Sequence, residues 1–159
     1  MLILGNFLRR AYEEMNEIND KIFGILNNKE SLWRCSYEIE LFNQLCTVGL
    51  IVYCYEDDGS DITDNQRETF SRFELNKKNI LKHVELSLME YCRKEAEVIE
   101  TGNIENVTSL KYIKIIHTEN GEDRKIGFIF DSSFDPELGI GILISNERVV
   151  EIGVQDIVL

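Results

Sequence analysis

Hydrophobic positions along the chain change period several times, and each change predicts an element. Over residues 6–20, Phe7, Leu8, Ala11, Tyr12, Met15 and Ile18 recur at spacings of three and four with Glu13, Glu14 and Glu17 between them, which predicts an amphipathic N-terminal helix. Residues 21–26 follow as a short apolar run suited to a strand, and Asn27, Asn28, Lys29 and Glu30 read as a turn. Residues 33–42 alternate cleanly. Trp33, Cys35, Tyr37, Ile39 and Leu41 fall on one side, and Arg34, Ser36, Glu38 and Glu40 on the other, as in a strand with one wet face. Residues 47–55 are apolar at nearly every position and rich in Val, Ile and Tyr, as expected of a strand covered on both faces. The two strands are expected to pair as an antiparallel hairpin with its loop over 43–46.

Thr63 followed three residues later by Gln66 is a capping-box pattern, in which each side chain answers the other's backbone amide, so a helix should start there. Asp61 and Asp64 suit its positive end. Phe70 and Phe73 mark its inner face, and Asn76 is expected to break it or cap the next one. A second and longer helix is predicted from Lys77, with Leu81, Val84, Leu88, Tyr91, Cys92 and Ile99 on one stripe and Thr101, Gly102 and Asn103 at its end. The last third reads as strands over 110–117, 125–131, 139–145 and 148–154. Asn120-Gly121 suits a type I′ hairpin turn between the first two, and Ser145, Asn146 and Glu147 supply a turn for the last pair.

The order helix, strands, two helices, strands lacks a βαβ rhythm. It predicts an α+β domain with a mostly antiparallel sheet, made of an N-terminal hairpin plus C-terminal strands. Two central helices are expected on one face, together with the N-terminal helix. No repeat or linker divides the chain, so residues 1–159 are read as a single domain.

Composition narrows the function classes. Apolar residues make up 43% and charged residues 29% of the chain, enough for an ordinary buried core. The 17 Lys plus Arg against 29 Asp plus Glu give a formal charge of -12, which argues against nucleic acid or an anionic membrane as the main partner and leaves basic partners open. The acidity is spread through both parts of the chain rather than confined to a tail. The longest uncharged run, residues 42–55, falls short of a membrane span, and Arg9 and Arg10 follow the first apolar run where a signal peptide would carry its charge first. A cytoplasmic protein is expected. Cys35, Cys46, Cys54 and Cys92 form no C-x-x-C pair and are expected as small buried thiols in a reducing compartment.

Two acidic clusters are the candidate sites. Asp131, Asp135 and Glu137 lie between two predicted strands, where oxygen ligands could hold a hard cation, but their spacing matches no EF-hand loop and local turn bonds account for them better. Glu56, Asp57 and Asp58 lead a run that reads either as a solvated loop or as a surface that steers a basic partner. Gly139 and Gly141 complete no dinucleotide fingerprint and are expected to serve close backbone packing. No nucleophile elbow occurs, and neither His83 nor His117 has a Ser or Cys at a recognised spacing.

Thr63-x-x-Gln66, Phe73, the long helix to Tyr91, the segment from Gly127 through Phe134-Asp135-Pro136-Glu137-Leu138-Gly139-Ile140-Gly141, and the closing stretch Val149 to Asp156 together resemble a bacterial family of uncharacterised domains. Its members carry a Trp-Asp-Pro-Glu-His-Gly-Leu-Gly type signature before a final hairpin. The resemblance covers about residues 33–157. Phe134 stands where the family usually has Trp, and Leu138 where it usually has His. An apolar Leu there suits packing better than catalysis. The resemblance implies an immunity or accessory protein of bacterial toxin neighbourhoods. The expectation is therefore a non-enzymatic binding protein without a cofactor, holding a basic partner such as a toxin through its acidic surface. A cation-dependent hydrolase at 131–137 and a homo-dimer paired through the strand at 148–154 are the alternatives.

Overall fold

The computed structural model describes residues 16–56, 58–95 and 104–159. Eight strands form one mixed sheet in chain order: β1 (Glu17–Asp20), β2 (Gly24–Lys29), β3 (Leu32–Leu41), β4 (Gln44–Val52), β5 (Thr108–Ile115), β6 (Lys125–Ser132), β7 (Ile140–Ser145) and β8 (Arg148–Gly153). Every neighbouring pair is antiparallel except β4 and β5, which run parallel. A parallel pair needs a crossover, and helix α1 (Asp64–Glu95) supplies it, followed by a short turn of helix, α2 (Ile104–Val107).

Three tight hairpins punctuate the sheet. Their central residues, Glu30 and Ser31, Phe42 and Asn43, and Asn146 and Glu147, all take positive φ, the type I′ geometry that matches strand twist. The β3–β4 loop is thus the pair Phe42-Asn43, tighter than the expected 43–46. Glu85 of α1 supports it from the side, accepting the Phe42 amide at 2.6 Å. The expected Asn120-Gly121 hairpin is looser than its sequence suggests. Residues 116–124 separate β5 from β6, only Gly121 of the two takes positive φ, and Asn120 spends its side chain elsewhere.

Three expectations are corrected. Residues 17–20, placed in the N-terminal helix, form β1, where Glu17, Ile18, Asn19 and Asp20 pair with β2; Asn16 is in a turn, and residues 6–15 of that predicted helix lie outside the described residues. The two central helices are one. Asn76 sits in its middle, exposed, with Nδ2 donating to the Arg72 carbonyl at 2.9 Å, so its side chain joins the helix rather than competing with it. The buried stripe Thr69, Phe73, Ile80, Leu81, Val84, Leu88 and Cys92 runs past that position. Third, the sheet holds one βαβ unit, β4–α1–β5, so the layout is mixed.

The core lies between α1 and one face of the sheet, with Trp33, Ile39, Leu50, Ile113, Phe128, Phe130 and Ile142 facing Phe73, Val84 and Leu88. Part of the opposite face is also covered. A terminal 3₁₀ turn (Gln155–Val158) folds back across β6, β7 and β8. A side chain at Gly127 would come within 2.7 Å of Val158 Cβ, and one at Gly141 within 3.0 Å of the Val154 carbonyl, so glycine lets the turn touch the sheet.

Candidate functional site

The C-terminal ends of parallel strands, where they meet the start of a crossover helix, are the usual crevice of such sheets. Here that end is closed by the chain itself. Thr63 and Gln66 form the predicted capping box: the Thr63 amide donates to Gln66 Oε1 and the Gln66 amide to Thr63 Oγ1, both at 3.0 Å. The Asn65 amide donates to Asn120 Oδ1 at 2.9 Å, and Thr63 Oγ1 donates to the Thr118 carbonyl at 2.6 Å. Gln66, with 0% exposure, also sends Nε2 to the Tyr53 carbonyl at 2.8 Å and towards that of Ile115 at 3.4 Å. One side chain thereby ties the helix to both parallel strands. Sequence spacing showed its cap but not this second use.

The acidic run after β4 is built around Asp61. Its carboxylate accepts the Tyr55 amide at 2.7 Å and the Glu56 amide at 3.2 Å, while Asp58 accepts the Ser60 amide at 2.9 Å. The Ser60 bonds hold the Asp58 carboxyl below its ordinary value. His117, in the loop that follows β5, shares a hydrogen bond with the Asp61 carbonyl at 3.0 Å and lies 3.4 Å from its carboxylate. Cys54 beneath the loop is inert at neutral pH: burial, reinforced by Asp61, pushes its thiol up to about 12.

Tyr55 stands out of this frame. It is 70% exposed, yet its ring is braced edge-on by Tyr53 at 5.4 Å and by His117 at 4.7 Å. Glu56, Asp58, Asp64, Glu119 and Glu122 are exposed around the same end, since loop 116–124 is fastened to the helix start. The cations nearby are engaged: Arg67 has Nη2 on Asp20 at 2.9 Å and Nη1 on Asp64 at 2.8 Å, Lys21 Nζ lies 3.8 Å from Asp64, and Lys114 Nζ sits 4.6 Å over the Tyr53 ring. Burial opposes ionisation of Asp20, but the Arg67 hydrogen bond and the amides of Phe23 and Ile22 outweigh it and hold that carboxyl below its ordinary value.

Of the predicted site residues, Glu56 and Asp58 belong to this loop, and Asp57 lies outside the described residues. Asp131 is at the other end of the sheet, because β6 runs antiparallel to β5 and pairs Asp131 with Ser109. It faces Lys111 at 3.4 Å. Asp135 instead shapes its own turn, accepting the Leu138 amide at 3.3 Å on its side chain and the Gly139 amide at 2.9 Å on its carbonyl. Glu137 is exposed. Among the described residues no group of three His, Cys, Asp or Glu side chains is placed to hold a metal ion. Leu138 is 47% exposed, so what the motif contributes is main chain: its carbonyl accepts the Gln155 amide at 3.0 Å and so docks the terminal turn.

A family described as a domain of unknown function (DUF6985) matches residues 22–159, and the chain belongs to that family. Neither a curated protein nor a solved structure matches it. No helix among the described residues is long and apolar enough to cross a membrane.

Proposed function

We propose that this DUF6985 domain is a protein-binding module that holds a basic partner at the acidic end of its sheet, with Tyr55 as the anchor. The carrying observation is Tyr55 itself, 70% exposed and braced by two rings inside a hydrogen-bonded acidic loop. An exposed aromatic with restricted motion loses little entropy on binding, and tyrosine is among the residues that concentrate binding energy in interfaces. The exposed carboxylates of Glu56, Asp58 and Glu119 around it supply the field that draws in Lys and Arg side chains. The chain's charge of -12 favours the same class of partner. A bacterial toxin held inactive is the specific partner that the sequence resemblance implies.

The test is capture from extract at low salt by immobilised chain, compared with a Tyr55→Ala, Glu56→Lys, Asp58→Lys variant of equal thermal stability. A basic protein retained by the native chain and lost roughly tenfold or more by the variant supports the reading. Equal retention by both, or none by either, overturns it.

A further inference from the structure

Among the described residues the sheet has an unpaired edge in its interior. β2 covers β3 only at Leu32, Trp33 and Arg34, so the stretch from residue 35 to 41 has β4 on one side and, among the described residues, no strand on the other. Ladder geometry says which groups are open. The two-residue turn makes Leu41 and Gln44 a hydrogen-bonded pair, and pairs alternate along an antiparallel ladder. Glu40, Glu38 and Ser36 therefore turn their N–H and C=O groups away from β4. Arg34, next in that series, turns its groups to Asn27 of β2, as the alternation requires.

Beside this edge runs a groove of about 770 Å³, closed on its far side by α1 from Glu74 to Glu85. Leu81 lines it, 7% exposed, and Leu45 and Leu75 stand at its margin 71% and 85% exposed. Its walls are fixed. Tyr37 donates to Glu74, Lys77 Nζ sits 4.5 Å over the Tyr37 ring, and Glu85 holds the hairpin turn. Glu38 and Glu40 are left exposed on the outer face, at two of the three residues with open backbone groups. An edge that carries open donors and acceptors next to a preformed groove is suited to strand addition.

We propose that the groove between β3 and α1 receives an extended segment of a partner protein, added as a strand to β3, with Lys or Arg at alternate positions opposite Glu38 and Glu40 and apolar residues between them turned towards Leu81. Charge on the outer face selects this occupant: directly opposed residues on one face of a strand pair interact, and the two carboxylates there favour cations, while Lys77, Lys78 and Lys82 line the α1 wall and keep the segment's cationic side chains off the inner face. The surface is separate from the acidic end. Glu40 lies next to the 42–43 turn, whereas Tyr55 follows the opposite end of β4.

The test is fluorescence anisotropy of a labelled peptide of alternating valine and lysine with the full chain. In antiparallel register the lysine amides face β3 and the valine amides face away. The native chain is expected to bind the plain peptide, a Glu38→Lys, Glu40→Lys variant about tenfold or more weakly, and the Tyr55 variant above as tightly as the native chain. N-methylation of the lysine amides should abolish binding and N-methylation of the valine amides should leave it. Equal binding of the two methylated peptides would mean charge attraction without a ladder, and no binding of the plain peptide would mean no such site; either overturns the proposal. So does a mass doubling in light scattering that excess peptide does not reverse, which would make a second copy the occupant.

Discussion

Gln66 gives the sharpest test of how the crossover is held. Leucine is close to it in size and removes every polar contact. Two groups then lose their partners: the Thr63 amide, which donates to Oε1 at 3.0 Å, and the Tyr53 carbonyl, which accepts from Nε2 at 2.8 Å. The Ile115 carbonyl keeps a partner, because it also accepts the Tyr53 amide at 3.1 Å. Stranding a buried donor or acceptor costs about 1–3 kcal/mol, so with two groups stranded Gln66→Leu should lose roughly 2–6 kcal/mol. Urea unfolding followed by circular dichroism measures this as a fall in midpoint at unchanged slope. Gln66→Glu separates polarity from shape. Its carboxylate still accepts from Thr63 but confronts two carbonyls in a buried place, so its folded pKa should rise above the unfolded value of about 4.3. A raised acid destabilises only when ionised. The deficit should vanish below about pH 4 and open as pH rises through the folded value. A Gln66→Leu loss under about 0.5 kcal/mol, or a Gln66→Glu deficit that does not depend on pH, would refute the assigned role.

Other outcomes follow from packing and charge. Gly127→Ala forces Val158 off the sheet face and should cost about 1–3 kcal/mol in the same unfolding assay, with part of the loss recovered when Val158→Gly is added. Asp20, whose carboxyl is held low, contributes stability that is present above its unfolded value of about 3.9 and is lost as pH falls through the lower folded value. The stability gap between the native chain and Asp20→Asn should therefore be constant at neutral pH and shrink in acid; a gap that widens below about pH 4 contradicts the assignment. Cys54 should resist alkylation at pH 8 in the folded chain and react on unfolding, since its thiol is pushed up to about 12; mass spectrometry of the labelled thiols reads this directly.

What was legible in the sequence, and what was not, follows from the range of the interactions involved. Strands β3, β4 and β6 to β8 lie close to their predicted positions because alternation and turn residues act within a few positions. The capping box is equally local and formed as expected. Asn76 misled because a propensity is a weak prior: in a helix interior Asn costs under about 0.7 kcal/mol, and the buried stripe on either side of it decides. Ile18 misled because one apolar position continues a helical period as readily as it starts a strand, and only pairing with Leu26 of β2 settles the choice. The parallel β4–β5 pairing was written in the sequence in a weak form, since a strand apolar on both faces that feeds a long helix is what a crossover looks like. The two candidate acidic clusters could not be ranked from spacing, because strand direction alone sends Asp131 to the opposite end of the sheet from Glu56.

The polar residues that most resemble reactive groups in this chain are those the architecture needs. A sheet that keeps chain order must break its ladder of hairpins once, at the crossover, and there the backbone groups of two strand ends and a helix start have no regular partners. Gln66, Thr63, Asp61 and His117 meet that need, each bonded to main chain across the joint. Asp20 does the same at the β1–β2 turn, accepting the Ile22 amide at 2.9 Å and the Phe23 amide at 3.0 Å. A side chain committed to holding backbone cannot move freely to a substrate without exposing what it holds. Among the described residues, the uncommitted groups at the two proposed surfaces are of another kind: the braced ring of Tyr55, the exposed carboxylates of Glu56, Glu38 and Glu40, and the backbone groups of β3 that no described strand pairs. Their chemistry is attraction and pairing, which is why both proposed surfaces call for a cationic polypeptide.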